Sequence, residues 1–75
     1  RQPLRAFFEE QVAWLTEVLD SGRRNGDFVF LGPPSRRAQL LLAALQGGLI
    51  IAHASHDVLL FDALLDDLLA GIAQR

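Results

Sequence analysis

The sequence contains no cysteine. Disulfides and thiolate metal sites are therefore excluded. Positive charge is also scarce: seven Lys+Arg stand against nine Asp+Glu, for a formal net charge of −2. By segment, residues 1–30 carry −1, residues 31–56 carry +2 and residues 57–75 carry −3. No long run of one sign occurs, so the basic footprint of a nucleic-acid-binding surface is missing. Internal repeats and low-complexity segments are missing as well. The opening RQPLRAFFEE places acids where a signal peptide needs an apolar core.

What is present is apolar. Hydrophobic residues make up 51% of the 75, slightly above the usual range. A chain this short forms one domain, here residues 1–75, and small domains stay marginal without a staple. With disulfides excluded, oligomerisation or packing against further chain is the expected staple. The stretch Leu40 to Ala52, LLLAALQGGLIIA, has one polar residue, Gln46. A surface helix shows one apolar stripe and one wet face. This stretch has no wet face and needs cover from several sides. Ala44, Gly48 and Ala52 are spaced by four and share one helix face. With Gly47 beside them they form a shallow groove for a close helix crossing.

Three helices are expected. The first spans residues 3 to 25, with Pro3 suited to a first helical position. Its stripe is Leu4, Phe7, Phe8, Val12, Leu15, Val18 and Leu19, and Trp14 lies off the main line. Asp20 and Arg24 are placed to pair. Gly22 is an interior weak point where the helix should bend or fray, and Asn25-Gly26 is a stop signal. Residues 27 to 33 read as an extended loop without a partner strand, whose Phe28 and Phe30 plug back into the core. The second helix starts near Pro34 or Ser35 and runs to about Ala54, since Pro33 precedes a proline and avoids the α region. Arg36 and Arg37 sit at the wrong end for the helix dipole and are expected to meet carboxylates elsewhere. Asp57 is a suitable N-cap for a third helix from Val58 to about Ala73. Its stripe of Val58, Phe61, Leu65, Leu68 and Ile72 is widened by Leu60, Leu64 and Leu69. Asp62, Asp66 and Asp67 fill the wet side. From Ala38 to Ala54 is 17 residues, short of the ~20 that span a bilayer, so a buried soluble bundle is expected rather than a membrane protein.

No catalytic or metal constellation emerges. His53 and His56 have Asp57 close by, but no third ligand sits at a persuasive spacing. Ser55-His56-Asp57 holds the residue types of a hydrolase triad, but triad members converge from different elements and consecutive residues do not. Asp62 and Asp66 lie four apart on a face read as solvated. The best candidates to line an apolar ligand pocket are Phe7, Phe8, Val12, Trp14, Leu15, Phe28 and Phe30, because such pockets are lined by apolar and aromatic side chains. The bland alternative is ordinary core packing. Candidates for a homodimer interface are Ala44, Gly47, Gly48, Ile51, Ala52, Phe61, Leu65, Leu68 and Ile72, on the second and third helices.

Three segments together resemble the C-terminal regulatory domain of TetR-type transcriptional repressors. They are FFEEQVAWLTEVLDSGRRNGDF (Phe7 to Phe28), AQLLLAALQGGLIIAHAS (Ala38 to Ser55) and DVLLFDALLDDLLAGI (Asp57 to Ile72). The resemblance covers nearly the whole chain and rests on the order and spacing of all three segments. It implies a cytoplasmic homodimer whose last two helices pair with their twins as a four-helix bundle, sensing a small hydrophobic ligand without a cofactor. DNA would be contacted only through an N-terminal helix-turn-helix domain, expected upstream of Arg1, and no enzyme activity is implied. In that family the earlier helices of the regulatory domain supply much of the pocket, so this piece is expected to hold part of one. The rival expectations are a constitutive helical interaction module without ligand and a membrane-associated helical hairpin.

Overall fold

A computed structural model describes residues 3–73. Three helices follow one another: α1 (Pro3–Arg24), α2 (Pro34–Ser55) and α3 (Val58–Ala70). The chain is all-α, as the spacing of its apolar residues implies. Helices α1 and α3 each pack on α2, which therefore lies in the middle. The assembly is flat, 40 × 38 × 14 Å.

Local chemistry sets the helix ends. α1 begins at Pro3 and stops where Gly26 takes a φ of 86°, a left-handed conformation that costs a glycine little. Pro33 is extended, at φ −72° and ψ 143°, and Pro34 opens α2. α2 closes on His56, which is itself left-handed at φ 55°. The Asp57 backbone N–H then reaches back to the Ala52 carbonyl at 2.9 Å. Asp57 caps α3 as expected: its carboxylate accepts from the Leu60 N–H at 2.9 Å.

Five expectations are corrected. Gly22 is no weak point, since α1 runs straight through it to Arg24. It is buried beneath Phe28, and a methyl group there would overlap the phenyl ring. Its missing side chain is a seat for the loop. α3 ends at Ala70, not Ala73. There the backbone tightens, with the Ile72 and Ala73 N–H groups both reaching the Leu69 carbonyl. The freed segment instead meets residues 28–29, through a single antiparallel bridge between Phe28 and Ala73 and a 2.8 Å bond from the Val29 N–H to the Ile72 carbonyl. The loop thus has a partner after all. Arg36 and Arg37 belong to neither ion pair found among the described residues, Arg5–Glu9 and Arg24–Asp20. Arg37 lies over the Phe30 ring instead, 5.8 Å from its centroid. Finally, α2 is 22 residues long with a mean hydropathy of 1.4 over its most apolar window. By length and composition alone it is long enough to cross a membrane, because the helix reaches further at both ends than the apolar run.

The core gathers at one end of the slab. Leu19, Phe30, Ala38, Leu41 and Ile72 are buried together, with Val12, Leu15, Phe28 and Leu68 packed against them. Phe28 and Phe30 plug inward as their alternation with Val29 implies. Arg23 fastens this loop by donating to the carbonyls of Gly32 at 2.8 Å and Phe30 at 3.3 Å. Its guanidinium also lies 4.4 Å from the Phe30 ring centroid, within range of a cation–π contact.

Candidate functional site

The first candidate is an open apolar face on α2. That helix buries Ala38, Leu41, Gly48 and Ala52, which share one side at 3.6 residues per turn. On the opposite side stand Leu40, Ala43, Gly47, Ile50, Ile51 and Ala54, within an arc of roughly 100° by the same helical repeat. Ile50 is 69% exposed and Leu40 and Ile51 are more than half exposed. A Cβ added at Gly47 would meet nothing within 4 Å. Just beyond, Val58 and Leu59 open α3 with almost no cover. A surface this apolar is unusual for a domain standing alone.

The total area makes the same point. A compact monomer of 8.3 kDa exposes about 4,600 Å² by the surface-to-mass relation of folded proteins. This chain exposes 5741 Å². The excess of about 1,100 Å² exceeds the ~800 Å² that each partner contributes to a standard interface.

The nine dimer candidates separate on this geometry. Gly48, Ala52 and Ile72 are buried within the chain itself. A Cβ on Gly48 would stand 3.4 Å from Leu64 and 3.8 Å from Phe61, so the small-residue groove receives α3 of the same chain. Ala44, Phe61, Leu65 and Leu68 are partly buried, and Ala44 and Leu68 line a groove between α2 and α3. Gly47 and Ile51 also line that groove, and they lie toward the open face. The crossing of α2 on α3 therefore uses most of the small residues internally. What it leaves uncovered is the neighbouring strip that carries Leu40, Ile50 and Ile51. Ile50 lies outside the row Ala44, Gly48, Ala52 and is 69% exposed.

The second candidate is an apolar cavity of about 400 Å³. It lies where the C-terminal half of α1 meets α2 and the end of α3, with Phe28 on its wall. Leu15, Leu19, Leu41, Leu45, Leu68 and Ile72 supply most of the rest. Its volume falls within the range of small-molecule pockets.

The seven ligand-pocket candidates are not brought together. Leu15 and Phe28 line this cavity. Phe8 and Val12 line a separate groove beside Ser35 and Gln39. Trp14 is 65% exposed and stands over a third hollow, and Phe7 is exposed. Phe30 is buried in the core. On α1, Leu4, Phe7, Trp14 and Val18 occupy a strip displaced from the Phe8, Val12, Leu15, Leu19 strip that packs on α2. A single helix thus splits the aromatic set between two sides. Leu45 and Leu65 also belong to the cavity; the sequence offers Leu45 only as part of the apolar stretch of α2 and Leu65 only as a stripe and dimer candidate of α3, because their convergence depends on the crossing of α2 and α3.

The polar candidates stay apart. His53, Ser55, His56 and Asp57 are all exposed, and the Ser55 hydroxyl donates to the Ile51 carbonyl at 2.7 Å. Among the described residues no group of three or more His, Asp or Glu is placed to hold a metal ion. Comparison with family models, with curated proteins and with solved structures finds no match to this chain.

Proposed function

We propose that this chain is the dimerising, ligand-sensing part of a TetR-like transcriptional regulator, acting in the cytoplasm. The observation that carries the reading is the exposed apolar strip on the outer side of α2 and the start of α3, on a chain with more surface than its mass predicts. Pairing two copies buries that strip twice over, and two helices from each copy meet in a four-helix arrangement. The resemblance of the three sequence segments to the family supports the regulatory role. The apolar cavity beside the α1 C-terminus supports the sensing role.

In this reading the mechanism is a population shift. A ligand in the cavity touches all three helices and the loop that joins α1 to α2. It therefore favours one crossing of α2 on α3. The dimer seam is built on the same two helices, so the relative setting of the two copies changes with it. Attached DNA-binding domains read half-sites about 34–36 Å apart, and a ligand shifts binding by as much as it prefers one setting.

The competing reading is a membrane-associated hairpin, favoured by the length and hydropathy of α2. Sedimentation equilibrium and vesicle flotation of the same sample separate the two. A dimer that stays out of neutral phosphatidylcholine vesicles supports the regulator. A chain that floats with them and shows no dimer in detergent-free buffer rejects it.

A further inference from the structure

The apolar cavity has a polar neighbour on the flank of α1. Val18 and Asp27 line it and also line a second hollow on the flank of α1, under Trp14. Those two residues belong to both walls, so the hollows lie side by side. Their chemistry is opposite. The cavity is walled by leucines, Ile72 and Phe28, and Asp27 is its one ionisable residue. The flank hollow carries Glu17, Asp20 and Asp27 against one cation, Arg24. Arg24 is engaged by Asp20 at 3.4 Å. Glu17 and Asp27 belong to neither ion pair found among the described residues. An exposed indole completes the hollow, and the face of a tryptophan attracts cations.

We infer that the site takes an amphipathic cation: an apolar body in the cavity and an ammonium-type head between Trp14, Glu17 and Asp27. This inference rests on the ligand-sensing reading and adds the class of ligand to it. Size sets the apolar part. At about 30 Å³ per water-sized group, a cavity of about 400 Å³ holds roughly a dozen heavy atoms. An unbranched ten-carbon amine fits that space. Charge complementarity sets the head. An anionic head would face two carboxylates that have no cation of their own, and a neutral head would gain nothing from them.

Calorimetric titration of the full chain with decylamine, decanol and decanoate at pH 7, each below its aggregation concentration, tests the inference. Decylamine is protonated there, as a lysine amine is. The expected result is one decylamine per chain, bound at least tenfold more tightly than decanol, with decanoate weakest and Trp14 fluorescence changing along the same isotherm. Glu17→Gln combined with Asp27→Asn should bring decylamine to the affinity of decanol while leaving decanol binding in place. Leu45→Trp fills the interior and should abolish binding of all three. Leu69→Trp, at a half-exposed residue on the rim, narrows the mouth and gives the same test should Leu45→Trp misfold. Equal affinities for amine and alcohol, both lost in the cavity-filling variants, would defeat the charge selection and leave ligand sensing standing. Decylamine binding that survives both filling variants would place it on the open α2 face and defeat the cavity assignment. No saturable binding of any probe would defeat this inference and the sensing reading together.

Discussion

The two ends of the slab are built from similar residues and reach opposite outcomes. At one end Leu19, Phe30, Ala38, Leu41 and Ile72 are buried together, and a loop, a bridge and an arginine hold the elements closed. At the other end Leu49, Ile50, Ile51, Val58 and Leu59 are all more than half exposed. Hydrophobicity does not separate them. The difference is supply of cover. The closed end receives α1, the loop from Phe28 to Phe30 and the Ile72 turn, all against the first half of α2. The open end has only α3 against one side of α2. A flat arrangement of three helices leaves part of its central helix without a partner. The residues that remain outside are those a second copy would meet.

The largest effect is expected at the closed end. Leu19 is 1% exposed, and Leu19→Ala should cost about 2–5 kcal/mol of unfolding free energy through lost burial and a cavity. Leu59→Ala, at the open end, should change chain stability by less than about 0.5 kcal/mol. Urea denaturation of both variants, kept dilute enough to hold the chains monomeric, checks the contrast. Similar losses for the two would erase the distinction between the ends.

Gly48→Leu comes next. It fills the α2–α3 crossing inside one chain and should cost about 1–3 kcal/mol by overpacking. Loss of helical signal on urea titration should accompany any loss of dimer, because the contact is internal first. Asp66→Leu, on the exposed side of α3, should stay within about 0.5 kcal/mol of wild type. A Gly48→Leu chain as stable as wild type would show that α3 does not rest on Gly48.

A smaller loss than at Leu19 or Gly48 is expected at the turn between α2 and α3. Asp57→Ala removes the bond to the Leu60 N–H and should cost about 1 kcal/mol. Asp57→Asn should restore most of it, because asparagine caps nearly as well. Thermal unfolding followed by circular dichroism resolves both. An alanine variant with an unshifted midpoint would mean that the cap contributes nothing to α3.

Much of the closed end could be read from the chain in order. Pro3, Pro34, Gly26 and Asp57 act locally, so their helix-end roles followed from residue type and position. The inward set of Phe28 and Phe30 followed from alternation with Val29. What failed depended on contacts between distant residues. Gly22 looked like a defect because the ring that occupies its place belongs to Phe28 across a turn. The early end of α3 at Ala70 came from pairing of residues 72–73 with the loop, which no spacing within α3 encodes. The small-residue row was visible on one face of α2, but which helix covers that face was not. The site suffered most. The aromatic candidates share a residue type but not an environment: the helical repeat of α1 turns Trp14 outward, and the loop turns Phe30 into the core.

The central claim is that the open strip of α2 is the seam between two copies. Ile50 is the most exposed large side chain of that strip and contributes little to the chain's own core. Sedimentation equilibrium of wild type and Ile50→Asp at micromolar concentration tests it directly, with circular dichroism on the same samples. A wild-type dimer is predicted, with Ile50→Asp weakening it at least tenfold, or about 1.4 kcal/mol, at unchanged helical content. A monomeric wild type, or an Ile50→Asp dimer of undiminished affinity, would contradict it.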